Sequence, residues 1–297
     1  MIDKLDFLLA LAREKHFGRA AEACGVTQPT LSAGIKQLEE TLGVLLVNRG
    51  SRFQSFTPEG ERVLDWARRI VGDSRAMREE ISAVRNGLSG RLRISAIPTA
   101  LGMVASLTTP FRMRHPNVQF TILSRTSIEV LGELENLEID AGITYLDNEP
   151  LGKVNTVPLY RERYRLLTSA DAPLGKRDNV TWKEVAEVPL CLLTPDMQNR
   201  RIIDRLLNRA GTESRPMLES DSMILLFSHV RTGRWASVMP AKLAETLGLT
   251  QTLRSIPITE PDEVHTVGLV VPEREPMTPL AAALVAEAQR VAPTLAD

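Results

Sequence analysis

Apolar residues recur at helical spacing through the first ninety positions, in short blocks followed by one long one. Leu5, Leu8, Leu9 and Ala12 give a first helix a single apolar face. Residues 16–39 read as two further short helices joined by a tight turn at Gly25. Ala20, Ala21 and Ala23 let the first of these pack closely, and Leu31, Ile35, Leu38 and Leu42 form the buried stripe of the second. The opposite face of that second helix is small and polar, with Gln28, Thr30, Ser32, Ala33, Lys36 and Gln37. A helix lying in a DNA major groove needs such a face, with short donors and acceptors at its N-terminal end. A solvated helical hairpin would show the same pattern, so the surroundings have to decide.

After Gly43, two β-capable runs flank Arg49-Gly50-Ser51, which predicts a hairpin, or wing, beside the helix pair. Arg49 and Arg52 at its tip are placed to meet phosphates. Thr57 then suits a helix N-cap and Pro58 the first helical position. The pattern carries that helix to about Asn86, roughly 30 residues and roughly 45 Å. Val63, Ala67, Ile70, Ser74, Met77, Ile81, Val84 and Leu88 make a seam along it. So long a helix has little to bury against within one chain, which calls for a second copy.

The period changes after Gly90. Strand-like runs at Arg91–Ala96, Val118–Leu123 and Ile139–Ile143 alternate with helical ones through Leu101, Val104, Leu107 and Phe111, and from Thr126-Ser127 to about Asn136. A second set starts near Tyr164, passes through Leu190–Leu193 and a helix at Arg200–Ala210, and returns at Trp235–Met239. A last strand at His265–Val271 and a helix at Pro279–Val291 rejoin the first set. This alternation predicts an α/β fold with a mostly parallel sheet in two lobes joined by crossing segments, hence a hinged cleft. Ligands of open α/β sheets sit at the strand C-termini, where helix starts offer free N–H groups. Pro98-Thr99, Thr126-Ser127 and Gln198-Asn199 fall at such places, although each also reads as ordinary capping. They are small and uncharged, with Arg200 and Arg201 adjacent, so a small anion such as a carboxylate suits them.

The block Phe17–Glu39, with Thr57-Pro58-Glu59-Gly60, resembles the LysR-type transcriptional regulators, and the resemblance covers the whole chain. It implies a winged helix-turn-helix at 1–57, a dimerising linker helix at 58–89 and a periplasmic-binding-protein-like effector domain at 90–297. In the last, lobe I takes about 90–161 and 266–297, and lobe II about 162–265. Gln28, Pro29 and Ser32 are expected to touch base edges of double-stranded DNA, and Thr30, Lys36, Arg49 and Arg52 to hold phosphates. Pro98, Thr99, Thr126, Ser127, Gln198 and Asn199 are expected to meet the effector. Tetramers and contact with RNA polymerase are further expectations of the resemblance. The family often carries long polar side chains at the positions of Ala33 and Gly34, and a Ser or Thr cap at that of Gly18. Phe7–Glu39 and Phe56–Ile81 look most like regulators beside formate dehydrogenase operons, which makes formate a candidate effector.

Charge alone would not find this. Residues 1–90 carry a net +1 and the remainder −2, so any positive surface comes from the placement of Arg19, Lys36, Arg49 and Arg52, with Glu39 and Glu40 turned away. Weak electrostatics per head favour several heads acting together. No apolar run approaches the ~18 residues of a membrane span, and no signal peptide precedes the first helix, so a cytoplasmic location is expected. Of the two cysteines, Cys24 and Cys191, only Cys191 lies in the regulatory region, whereas peroxide-sensing members of this family use a pair there. His16, His115, His229 and His265 lack metal-ligand spacing, and no cofactor is expected. A stand-alone solute-binding module is the competing class, but it would need an export signal and leaves the wing unexplained. An enzyme would need a nucleophile–base set that the sequence does not offer.

Overall fold

Helical spacing and turn chemistry account for the N-terminal head. In the computed structural model, which describes residues 1–49, 53–213, 215–249 and 252–295, helices α1 (Ile2–Glu14), α2 (Phe17–Ala23) and α3 (Gln28–Leu42) bury Leu5, Leu8, Leu11, Ala20, Ala21, Leu31, Ile35 and Leu38 in one core. Gly25 takes φ +67° in the turn between α2 and α3, where a side chain would be strained. The cap of α2 is His16 rather than Gly18: its Nδ1 accepts the N–H groups of Gly18 at 3.1 Å and Arg19 at 3.3 Å. Gly34 also has a packing reason. A Cβ there would come within 2.7 Å of the Phe7 ring, so this position serves the approach of α1 to α3.

Strands β1 (Val47–Arg49) and β2 (Phe53–Phe56) pair antiparallel with Val47 opposite Phe56 and form the wing. Gly50, Ser51 and Arg52 lie outside the described residues, as does the Arg49 side chain. Glu39, expected only to face away from DNA, is buried at 5% exposure. Its Oε1 accepts the N–H groups of Leu46 (2.9 Å) and Val47 (3.2 Å), which pins the entry to the wing onto α3.

Helix α4 (Pro58–Asn86) runs 29 residues. Thr57 Oγ1 accepts the Gly60 N–H at 2.9 Å and donates to the Leu45 carbonyl at 2.7 Å, which joins helix start to wing. The seam expected along α4 divides. Leu64, Ala67 and Val71 complete the head core, and half-buried Val63 packs against it, so Ala67 and Val63 leave the seam. Trp66, Ile70, Met77, Ile81 and Val84 stay exposed. One stripe of the helix therefore packs into the head while a neighbouring one stays exposed.

By its contacts the chain divides into two units, Met1–Leu88 with Glu135–Glu138 and Arg274–Leu280, and most of the remainder from Ser89. The second unit holds two main sheets. In the first, β3 (Gly90–Ala96), β4 (Val118–Ser124) and β5 (Ala141–Tyr145) are parallel, linked by α5 (Leu101–Arg114) and α6 (Ser127–Glu135). Strand β6 (Val154–Glu162) closes the edge, and β13 (His265–Pro272) lies between β5 and β6, antiparallel to both, giving the order β4-β3-β5-β13-β6. The sheet is therefore mixed: β3, β4, β5 and β6 run one way and β13 runs against them. Strand β13 enters from the other lobe and not through a helical crossover, so nothing forces it parallel.

The second sheet has the order β11-β7-β12-β8, from β7 (Tyr164–Ser169), β8 (Val180–Thr181), β11 (Ser237–Pro240) and β12 (Leu253–Thr259). Beside it β9 (Cys191–Leu193) and β10 (Leu218–Ser220) pair in parallel. Helices α7 (Trp182–Ala186), α8 (Gln198–Arg209), α9 (Met223–Val230) and α10 (Ala241–Thr246) belong to this lobe, and α11 (Pro279–Leu295) ends the described chain. A core of Leu167, Cys191, Leu193, Leu226, Phe227, Val230 and Met239 fills the lobe. The chain crosses between the sheets twice, at Arg163 and again over residues 260–264.

Removing the Glu39 carboxylate strands two backbone N–H groups in the head core. Glu39→Ala is expected to cost about 2–4 kcal/mol, and Glu39→Gln, which keeps one acceptor, clearly less. Denaturant unfolding of the full chain, with the head transition followed separately, checks the order of these losses.

Candidate functional site

On α3 the exposed groups include Gln28, Pro29, Thr30, Ala33, Lys36 and Gln37, with Ser32 half-buried. Thr27 caps the helix, its Oγ1 lying 2.9 Å from Thr30 Oγ1, so Thr30 is already held locally. Lys36 makes only a loose pair with Glu40, 3.9 Å away. The first turn of α3 thus offers an amide and short hydroxyls with no bulky apolar group beside them, and a cation follows two turns on. This matches the chemistry of base edges in a major groove flanked by phosphates.

The second site lies in the unit that follows, where the strand ends of the first sheet meet the first turns of α8. Thr99, in the 3₁₀ turn Pro98–Ala100 after β3, is 2% exposed and its hydroxyl has no hydrogen-bond partner among the described residues. Pro98 is buried with it. Ser127 opens α6, and its Oγ sits 3.2 Å from the Arg201 guanidinium. Gln198 Nε2 donates to the Asp147 carbonyl (3.3 Å), and Asn199 Nδ2 to the Tyr145 hydroxyl (3.4 Å). The structure so brings Ser127, Gln198 and Asn199 to one seam between lobes. It does not bring Thr126: that hydroxyl accepts the Glu129 N–H at 3.2 Å while Glu129 accepts the Thr126 N–H at 2.8 Å, a closed capping pair. Arg200 is likewise committed, to Asp204 (2.8 Å), Glu219 (2.5 Å) and the Leu193 carbonyl (2.9 Å). Arg201 alone of the two faces Ser127.

Sequence reasoning missed the buried polar cluster at the crossing. Tyr145 donates to Glu162 Oε1 at 2.5 Å, and its oxygen lies 2.9 Å from the Tyr164 hydroxyl. Since Tyr145 has one proton and gives it to Glu162, Tyr164 and Asn199 are the donors to it. Burial pushes the Glu162 carboxyl up to about 8; the Tyr145 hydrogen bond opposes this and the Asp147 charge adds to it. Glu162 is therefore neutral at pH 7, and among the described residues its second oxygen has no hydrogen-bond partner, like Tyr160 OH and His265 Nε2. Burial likewise lowers His265, against the pull of Asp147, and Asn148 Nδ2 lies 3.1 Å from its Nδ1. The signal available in sequence was a lone acid in the tract around Tyr160, Glu162 and Tyr164, which reads as an ordinary strand end.

Cys191 is fully buried, its thiol directed at the carbonyls of Ala236 (3.4 Å) and Leu226 (3.7 Å), and burial raises it to about 11. Cys24 is half-buried in the head. No group of metal-ligating side chains, and no helix long and apolar enough to cross a membrane, occurs among the described residues.

Comparisons with known proteins bear on both sites. Residues 2–61 match the family described as bacterial regulatory helix-turn-helix protein, lysR family, and residues 85–293 match the LysR substrate binding domain. The DNA-binding transcriptional dual regulator OxyR of Escherichia coli is 28% identical over 277 residues, 93% of this chain and 90% of that one. A hydrogen peroxide-inducible genes activator of Dickeya chrysanthemi is 27% identical, over 93% of this chain and 90% of that one. Among solved structures, a full-length OxyR cysteine-to-aspartate variant from Pseudomonas aeruginosa superposes with a TM-score of 0.74 at 27% identity, covering 98% of this chain and 99% of that one. Full-length CbnR complexed with target DNA shares the fold, with a TM-score of 0.60 at 20% identity over 98% of this chain and 100% of that one. None of these relatives is described as tied to formate dehydrogenase, contrary to the likeness expected from sequence.

Glu162 binds a proton in the folded state up to about pH 8 and in the unfolded chain only in the ordinary carboxylate range. Its contribution is complete below that ordinary range and is lost as the pH rises through about 8, by on the order of 3–5 kcal/mol at most. Glu162→Gln is expected to flatten the fall in melting temperature between pH 6 and 9. Equal slopes for both proteins would show that Glu162 ionises normally.

Proposed function

Because the chain belongs to the LysR family of bacterial transcription regulators, a family of DNA-binding regulators and not enzymes, we propose that it is a cytoplasmic regulator whose effector is a small carboxylate. A free solute-binding module is disfavoured, since residues 2–61 match the family's DNA-binding part. In this reading Gln28, Pro29 and Ser32 meet base edges, and Thr30, Lys36, Arg49 and Arg52 meet phosphates. The exposed stripe Ile70, Met77, Ile81 and Val84 of α4 pairs with a second copy, and dimers join into tetramers that contact RNA polymerase.

The observation that carries the effector reading is the Thr99 hydroxyl, buried and without a hydrogen-bond partner among the described residues, at the C-terminal end of β3. A polar atom so placed costs about 1–3 kcal/mol until something fills it. Pro98 shapes the turn beneath, Ser127 and Arg201 supply a hydroxyl and a cation, and Gln198 and Asn199 border the seam. Thr126 is retained only as the cap that orients Ser127. Formate, the smallest carboxylate, is the first to titrate, with acetate and larger acids after it. A peroxide signal like that of the relatives named hydrogen peroxide-inducible activators finds less support here. It would need a reactive thiolate, and the buried Cys191 thiol, raised to about 11, is the opposite.

Thr99→Val keeps the shape and removes the hydroxyl. It is expected to raise the stability of the ligand-free chain by about 1 kcal/mol and to abolish the effector response, with DNA binding unchanged. Calorimetric titration and footprint length on the operator read the two effects; a Val variant that still responds moves the site elsewhere.

On DNA, Gln28→Ala should relax preference at one base position by about 1–3 kcal/mol. Lys36→Ala should instead weaken all sequences and lower the salt slope by about 1. Binding to an operator series at several salt concentrations separates the two, and an exchange of these outcomes would refute the assignment.

A further inference from the structure

Arg201 is not vacant in this structure, and what occupies it is itself a carboxylate. Nε donates to Glu149 Oε1 at 2.8 Å and Nη2 to Glu149 Oε2 at 2.9 Å, a two-point fork. Nη2 also donates to Ser127 Oγ at 3.2 Å, and Ser127 Oγ in turn donates to Glu149 Oε2 at 3.4 Å. Nη1 is fixed by the Asp196 carbonyl at 2.5 Å. One carboxylate therefore rests on a guanidinium and on a buried hydroxyl in the first turn of α6. That is the coordination a free carboxylate would seek.

We propose that Arg201 and Ser127 form the carboxylate-binding subsite of the effector site, and that Glu149 is its built-in occupant, displaced when effector binds. This rests on the small-carboxylate reading given above. The side chains of Arg201 and Glu149 are 33% and 31% exposed, so the pair is open to solutes, and a solvated ion pair is exchanged for another carboxylate at little loss. The alternative cation, Arg200, is 7% exposed and already holds Asp204, Glu219 and the Leu193 carbonyl. Glu149 belongs to the loop after β5, which α8 also grips through Gln198 on the Asp147 carbonyl and Arg205 on Asn148 Oδ1 at 2.6 Å. Residues 198, 201 and 205 share one face of α8. Displacing Glu149 removes the central one of these grips, so effector binding loosens a lobe-to-lobe latch while adding a ligand to the same arginine. The competitor also selects for small acids: a ligand must enter beside a loop still held at both neighbouring points.

The experiment is calorimetric titration of the full chain with sodium formate and sodium acetate. It compares wild type with Glu149→Gln, Glu149→Ala, Ser127→Ala and Arg201→Gln, each shown to melt as wild type does. Loss of the internal competitor should lower Kd by about tenfold or more in Glu149→Ala, with Glu149→Gln in the same direction. Ser127→Ala should weaken binding and Arg201→Gln abolish it. A Kd unchanged or raised in both Glu149 variants, with measurable binding to wild type, overturns the latch and leaves the small-carboxylate reading standing. Retained binding in Arg201→Gln overturns the subsite. Failure of both acids to bind wild type and every Glu149 variant overturns this proposal and the carboxylate reading together.

Discussion

One buried hydroxyl gathers groups from both lobes. The chain passes between its two main sheets at Arg163 and over residues 260–264, and backbone alone leaves the lobes free to swing about so short a crossing. Tyr145, the last residue of β5, gives its proton to Glu162 at the end of β6 and accepts from Tyr164 at the start of β7 and from Asn199 in α8. Its single donor and both acceptor positions are used. Strand ends of the first lobe, the first strand of the second and the start of α8 are thus fixed at one atom. Burial is what holds the proton on Glu162, helped by the Asp147 charge, because the Tyr145 hydrogen bond by itself favours the charged form.

The placement of α8 follows from that anchor. With Asn199 on Tyr145, the helix turns Gln198, Arg201 and Arg205 toward the loop after β5. Arg200 is sent into its own lobe against Asp204 and Glu219. Two adjacent arginines therefore do unrelated work, one stitching the lobe and the other facing the seam. Neighbouring positions on a helix point about 100° apart, so the difference is dictated once the helix orientation is set. Nothing in the pair Arg200-Arg201 read alone distinguishes them.

That contrast marks what the sequence could disclose. Features governed by neighbours a few residues away were readable: the Gly25 turn, the Thr57-Pro58 helix start, the length of α4, the polar face of α3 and the helix starts at Thr99, Ser127 and Gln198. Features decided by partners far along the chain were not. Glu39 reads as a solvated helix residue, yet it accepts backbone N–H groups from the wing. Ala67 fits the exposed seam by spacing but packs into the head, because α4 carries two apolar stripes one position apart. Strands β6 and β12 contain Pro158 and Pro257, which obscure an alternating pattern. Strand β13 shows its apolar run but not its direction, which only the crossing from the other lobe decides. Thr126 and Ser127 look equivalent, and the capping pair with Glu129 takes one while leaving the other to the seam.

Full-length likeness to OxyR proteins therefore transfers the frame more securely than the signal. The frame needs sheets, a double crossing and a helix start aimed at the strand ends. All of these follow from apolar patterning and a few buried hydrogen bonds. Chemistry at the strand ends is a separate matter, because side chains there can change without disturbing the cores on either side. Here Cys191 serves as packing in the core of the second lobe, its thiol turned to backbone carbonyls. The seam instead carries hydroxyls, amides and an arginine already holding an acid. Oxidising Cys191 would place polar oxygens among Leu193, Leu226 and Val230, whereas an acid arriving at Arg201 replaces like with like. Under the proposed carboxylate reading, the first change therefore carries a large physical cost and the second a small one.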